Sequence, residues 1–123
     1  MTAALERLDA SAFDGPRLLR PGVVAVEFSA DWCPVCRAFD PVFATVPRNE
    51  PFGRAVADVS SEESPLWDRF GIAIVPSVLV FRDGREIERA DGVPGIGVRR
   101  PELERVLASA RKAAGPGPTT RRR

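Results

Sequence analysis

Histidine is absent from this chain of 123 residues, and cysteine occurs twice. Without an imidazole, Cys-His dyads, Ser-His-Asp triads and histidine-ligated zinc are excluded. Two cysteines are also too few for a small secreted scaffold, which closes several bridges to make up for a thin core. No excess of one charge exists either. The 18 Lys and Arg stand against 17 Asp and Glu, a formal net charge of +1, so the chain carries no electrostatic footprint for nucleic acid or an anionic membrane. The one basic cluster is Arg121-Arg122-Arg123 at the end. No apolar run approaches the roughly 18 residues of a membrane-spanning helix, and Glu6, Arg7 and Asp9 interrupt the start before a signal-peptide core could form. These absences lead to the expectation of a cytoplasmic, untargeted protein. There thiols stay reduced, and a close Cys pair is catalytic or metal-binding rather than a staple.

What is present suits one compact domain: 44% apolar and 28% charged residues are ordinary for a soluble globular chain of this length. That domain is expected over 1–114, with a disordered basic tail, GPGPTTRRR, over 115–123. Val23 to Phe28 is a Val-rich apolar run after Pro21-Gly22 and reads as a buried central strand. After Cys33, apolar residues at Val35, Cys36, Phe39, Val42, Phe43 and Val46 follow one helical face. Pro34 suits the first helical position, where a missing N–H has no consequence. Ala55–Val59 reads as a second strand and Glu62–Phe70 as a short helix with Leu66, Trp67 and Phe70 inward, Trp67 being assigned to the core. Asp83-Gly84 between Val78–Phe81 and Arg85–Arg89 is a strong hairpin signal. The last helix is expected from about Pro101 to Ala114, and a weak strand and helix from about Leu5 to Leu19.

The two cysteines stand in Trp32-Cys33-Pro34-Val35-Cys36, between the central strand and the helix it leads into. Around them lie Phe13, the strand VEFSADWC, Pro41, Gly71-Ile72, Val75-Pro76-Ser77, the strand VLVFRDG and Gly92. In order and approximate spacing this pattern, over roughly residues 5 to 112, resembles the thioredoxin family. The resemblance implies an α/β chain with the thioredoxin fold, a central mixed sheet of four to five strands flanked by helices on both faces. It implies a thiol-disulfide oxidoreductase working by reversible dithiol/disulfide exchange, without a cofactor or metal. Its partners would be disulfide-bearing client proteins and an electron donor such as a thioredoxin reductase, and it would act as a monomer.

Physical chemistry assigns the roles within the motif. A thiolate is the attacking species in disulfide exchange, and a helix N-terminus favours it, so Cys33 is the candidate nucleophile. Cys36, one turn on and on the apolar face, is the candidate resolving thiol. Pro34 deletes a donor near the Cys33 sulfur and Val35 adds neither charge nor hydrogen bond, while Arg37 offers modest opposing stabilisation of the thiolate. The less the reduced form is stabilised, the more reducing the couple, so a reductant is favoured over an oxidant. By resemblance, Pro76 is cis, and Val75, Pro76 and Gly92, with Trp32, form the substrate-binding face. Glu27 stands where thioredoxins usually carry a buried aspartate that handles the proton of the resolving cysteine, and burial should raise its pKa. The chain departs from the family pattern at Ser29, often a tryptophan, and at Ala57, taken as the place of the lysine often found opposite the buried acid.

Three alternatives remain open at this point. A metal site is disfavoured because two thiolates without histidine fall short of four ligands. A non-catalytic binding module would use the groove around Trp32, Pro76 and Gly92 and leave the cysteines inert. An oxidase or isomerase would run the same chemistry in the other direction.

Overall fold

The computed structural model describes residues 5–47 and 49–115. Of the tail expected over 115–123, all but Gly115 lies outside the described residues, the three arginines included.

The seven-residue run Val23–Ser29 forms strand β4, buried along its whole length. A strand covered on both faces needs apolar neighbours on both sides, which its Val-rich composition supplies. β4 runs parallel to β5 (Gly53–Asp58) and antiparallel to β6 (Ser77–Arg82). At the edges, β1 (Glu6–Leu8) pairs parallel with β5, and β7 (Arg85–Ala90) pairs antiparallel with β6. The result is a five-stranded mixed sheet in the order β1-β5-β4-β6-β7.

One face is covered by α1 (Pro34–Ala44) and α3 (Arg100–Ala114), whose Phe39, Phe43, Val106 and Leu107 pack with Val23 and Ala25 of β4. The other face packs Val24, Val26 and Phe28 against Phe13, Phe70 and Phe81. Ring centroids there lie 5.4 to 5.5 Å apart for Phe13–Phe70, Phe28–Phe70 and Phe70–Phe81. Each such ring contributes roughly 1.5–3 kcal/mol by leaving water. Strand alternation then places Glu27 and Ser29 on the first face, under α1.

Two elements differ from expectation. The N-terminal segment forms no α-helix after β1. It makes a 3-10 turn over Ala10–Ala12, capped by Asp9, whose carboxylate accepts from the Ser11 N–H at 2.9 Å, and then the two-stranded ribbon β2 (Phe13–Asp14) and β3 (Arg17–Leu18). Gly15-Pro16 lies inside the expected helix, Gly15 has a φ of 58°, and neither residue sustains helical geometry. The second helix, α2, is shorter than expected, Leu66–Arg69, because Ser61 and Ser64 accept the N–H groups of Glu63 and Leu66 and hold the preceding residues in turns. The second face is thus covered by α2, the 3-10 turn and the ribbon.

The β6–β7 hairpin turns at Asp83-Gly84 as expected, with both residues at positive φ. β3 lies against this turn, the Leu18 N–H donating to the Gly84 carbonyl at 2.9 Å. α3 begins at Arg100, one residue before the expected start. Among the described residues no helix is long and apolar enough to cross a membrane.

Candidate active site

β4 ends at Ser29, and the chain turns through Ala30–Trp32 into α1, so the end of the central strand delivers Cys33 to the helix start. Cys33 is the N-cap and Pro34 the first helical residue. The backbone N–H of Cys36 donates to the Cys33 sulfur at 3.1 Å, which places a backbone dipole where charge on that sulfur would develop. On its other side the Cys33 thiol faces the carbonyl oxygen of Val75 at 3.6 Å. Both thiols are free. Cys33 is 7% exposed and Cys36 wholly buried. Burial, and then the hydrogen bond with Cys33, push the Cys36 thiol well above its ordinary range, so it holds its proton at neutral pH.

Beneath the pair sits Glu27, fully buried, and neither of its carboxyl oxygens has a hydrogen-bond partner among the described residues. Burial, and then the nearby Asp40, push its pKa up to about 10. The group is therefore a neutral carboxylic acid at pH 7. The register sets Val56 opposite Glu27, whereas Ala57 pairs with Phe28 and belongs to the core cluster of the other face. Ala57 is accordingly not the residue facing the acid. Asp40, on α1, accepts a hydrogen bond from the Ser29 hydroxyl at 3.0 Å.

The substrate face is built from three loops. The Val75-Pro76 peptide bond is cis, and both residues are buried beside Cys33. Gly92 lies so close to this loop that a Cβ there would stand 2.2 Å from the Pro76 carbonyl oxygen, and its N–H donates to the Ser77 hydroxyl. Gly97, at φ 88°, packs close as well: a Cβ would meet Val35 at 3.0 Å and the Pro76 ring at 3.3 Å. Trp32 is half exposed and anchored through its indole N–H to the Ser60 carbonyl at 2.7 Å. Trp67 stacks on it, ring centroids 6.4 Å apart and planes within 15°, with its own indole N–H on the Ser61 carbonyl. Together with Cys33, Val35, Ile74 and Val75 the two indoles line a groove of about 340 Å³.

A buried thiol pair at a strand-to-helix junction beside a cis-proline loop is a specific arrangement. The thioredoxin family profile matches residues 6–98, three quarters of the chain. The chain belongs to the thioredoxin family. Similar proteins include thioredoxin from Chlamydia muridarum, 32% identical over 73 residues that cover 58% of this chain and 71% of that one. An H-type thioredoxin from Picea mariana is 28% identical over 95 residues, 75% of this chain and 70% of that one. Among solved structures, a mutant thioredoxin from Halobacterium salinarum superposes with a TM-score of 0.63 at 25% identity, covering 96% of this chain and all of the other. Mitochondrial thioredoxin 3 of Saccharomyces cerevisiae, in its oxidized form, gives 0.66 at 22% identity, covering 85% and 94%. At the level of this thioredoxin family, the chemistry is thiol-disulfide exchange by a redox enzyme.

Of the candidate residues, the structure gathers Trp32, Cys33, Val35, Cys36, Val75 and Pro76 in one place, with Gly92 behind the proline and Glu27 beneath the thiols. Pro34 sits at the exposed helix start. Arg37 donates from its guanidinium to the Asp31 carbonyl at 2.6 Å. Three contributors escaped the sequence reading. Trp67, assigned to the core, shares the groove wall. Gly97 had a visible signal in the glycine-rich stretch Gly92–Gly97. Asp40 had one too, being four residues after Cys36 and so on the same helical stripe.

Proposed function

We propose that this thioredoxin-family protein reduces protein disulfides through Cys33 and Cys36. The observation that carries the reading is the Cys36 N–H at 3.1 Å from the Cys33 sulfur at the start of α1, with Cys36 itself buried behind it. Cys33 attacks a client disulfide, its sulfur bonding to one client sulfur while the other leaves as a thiolate. Cys36 then attacks Cys33, closing the intramolecular disulfide and releasing the second client thiolate. Trp32, Val75, Pro76 and Gly92 form the surface on which an extended client segment lies, its backbone facing the Val75–Pro76 loop.

Direction is argued from the inner pair. Pro34 and Val35 carry no charged group, and Arg37 is turned onto the Asp31 carbonyl, so the reduced form receives little extra stabilisation from side chains. Glu27, neutral and under the pair, keeps a protonated acid beside the thiols, the part in proton transfer proposed for it. That donor is a thioredoxin reductase or an equivalent reductant, the working form is a monomer, and the compartment is reducing, as in the cytoplasm.

Equilibration with glutathione redox buffers tests the direction. A potential in the thioredoxin-to-glutaredoxin range, about -270 to -200 mV, is expected; a value near the roughly -120 mV of a strong periplasmic oxidant overturns it. Turnover of insulin disulfides with dithiothreitol, lost in Cys33→Ser, checks the activity itself.

A further inference from the structure

The resolving step leaves a proton to be placed. Cys36 must lose its proton to attack, and Glu27, the buried acid of β4, is already protonated at neutral pH and cannot take a second one. A group with a free base form has to lie within reach. Cys36 and Asp40 are one turn apart on the stripe of α1 that faces β4. Across from them, Ser29 ends β4, its hydroxyl donating to Asp40 Oδ1 at 3.0 Å and lying against the Cys36 sulfur as well. Asp40 is half-buried, and its outer side opens on a surface hollow of about 180 Å³ walled by Leu5, Arg7, Ala44 and Val56. One hydroxyl thus bridges a buried thiol and a carboxylate that reaches solvent.

We propose that Asp40 is the proton acceptor of the resolving step, receiving the Cys36 proton through the Ser29 hydroxyl and passing it to water at the β1–α1 edge. The inference rests on the dithiol exchange described above. As Cys36 S–H gives its proton to Ser29 Oγ, Ser29 gives its own to Asp40. The Cys36 thiolate then bonds to the Cys33 sulfur, the bond from Cys33 to the client sulfur breaks, and the client leaves as a thiolate carrying the electron pair. Asp40 afterwards releases its proton to solvent. Around Asp40 on this face of the sheet lie Arg7 of β1, paired with Asp58 of β5 at 3.5 Å, Arg54 of β5, bonded to the carbonyls of Phe43 and Ala44, and Glu27 of β4; farther along the same face come Arg82 of β6 and Glu88 of β7, the latter paired with Arg105 of α3. Of these, the neutral Glu27 imposes the need for a second carboxylate.

Stopped-flow mixing of the reduced protein with 5,5'-dithiobis(2-nitrobenzoate) separates the steps: Cys33 attack releases one thionitrobenzoate, and Cys36 attack on the mixed disulfide releases the second. In Asp40→Asn the second phase should slow roughly 10²–10⁴-fold at pH 7, the range set by loss of one general base, and recover as hydroxide takes over at alkaline pH. Asp40→Glu should restore part of the rate, and Ser29→Ala should slow the same phase. A second phase in Asp40→Asn with the rate and pH profile of the unmodified protein overturns the proposal, as does equal slowing of both phases, which would mark a structural role. Should Asp40→Asn fail to fold, Ser29→Ala decides, an unchanged second phase refuting the bridge. An unmodified protein that releases only one thionitrobenzoate would instead refute the exchange reading on which the inference stands.

Discussion

Glu27 combines full burial with two carboxyl oxygens that lack hydrogen-bond partners among the described residues, and the fold keeps it by leaving it protonated. The folded carboxyl holds its proton up to about 10, while the unfolded chain releases it near the ordinary 4.5. Between those values the folded state binds the extra proton, so stability from this group is fully present below 4.5 and declines as pH rises towards 10, by at most about 1.4 kcal/mol per unit. Glu27→Gln removes the titration while keeping size and polarity. Urea denaturation at pH 5 and pH 8 should show the variant gaining on the unmodified protein by up to a few kcal/mol at the higher pH. Parallel pH dependences of the two proteins would show that Glu27 is solvated in the folded state. The residue was legible in sequence as the one charge in an apolar run, and so was the raised pKa, because burial alone predicts it. What sequence could not supply was the register: Ala57 looked like the residue opposite, and only strand pairing puts Val56 there. Asp40 was hidden for the same reason, since its meaning depends on which strand residue its helical stripe meets.

At the scale of elements, the parts legible in sequence were those with strong local chemistry. β4 is a continuous apolar run, α1 starts at a proline after a capping residue, and Asp83-Gly84 makes a two-residue turn. The turn is held from two sides. Gly84 has φ 93°, and a Cβ on it would lie 2.8 Å from both the Leu18 carbonyl oxygen and the Arg17 side chain of β3. Gly84→Ala therefore meets a strained backbone and a close backbone neighbour together, and should destabilise the protein by about 2–4 kcal/mol, with β3 lifting off the hairpin. The urea midpoint should fall without a change in slope, and amide exchange at Leu18 should accelerate. A loss under about 0.5 kcal/mol would mean that β3 yields without resistance. Elements that misled are short and depend on side chains competing for backbone. The stretch from Asp9 to Leu18 has helical composition in part, yet the Asp9 cap, Gly15 at positive φ and Pro16 turn it into a 3-10 turn and a ribbon. Trp67 reads as core because it lies on the inner side of a helix, but α2 is a single turn and leaves the indole stacked on Trp32.

For the molecule as a whole, the fold and its active end were legible together because the family pattern distributes its residues over the strand, helix and loop that meet at the thiols. The sheet places them: β4 is the central strand, its two faces feed the two core clusters, and its end carries Cys33 into α1. We propose from this that residues 1–114 unfold as one cooperative unit, since no break can separate the clusters without splitting β4 itself. The chain carries separate reporters for the two faces. Trp32 and Trp67 border the cluster that holds Phe13 and Phe70, whereas α3, the longest helix among the described residues, dominates the far-ultraviolet signal from the other. Tryptophan fluorescence and circular dichroism, followed through the same urea titration, should therefore give coincident transitions with a single slope of about 1–3 kcal/mol per molar. Were the fluorescence midpoint to precede the dichroism midpoint, the wall of the substrate groove would be loosening ahead of α3. β4 would then be serving two units of different stability, with both thiols in the one that loosens first.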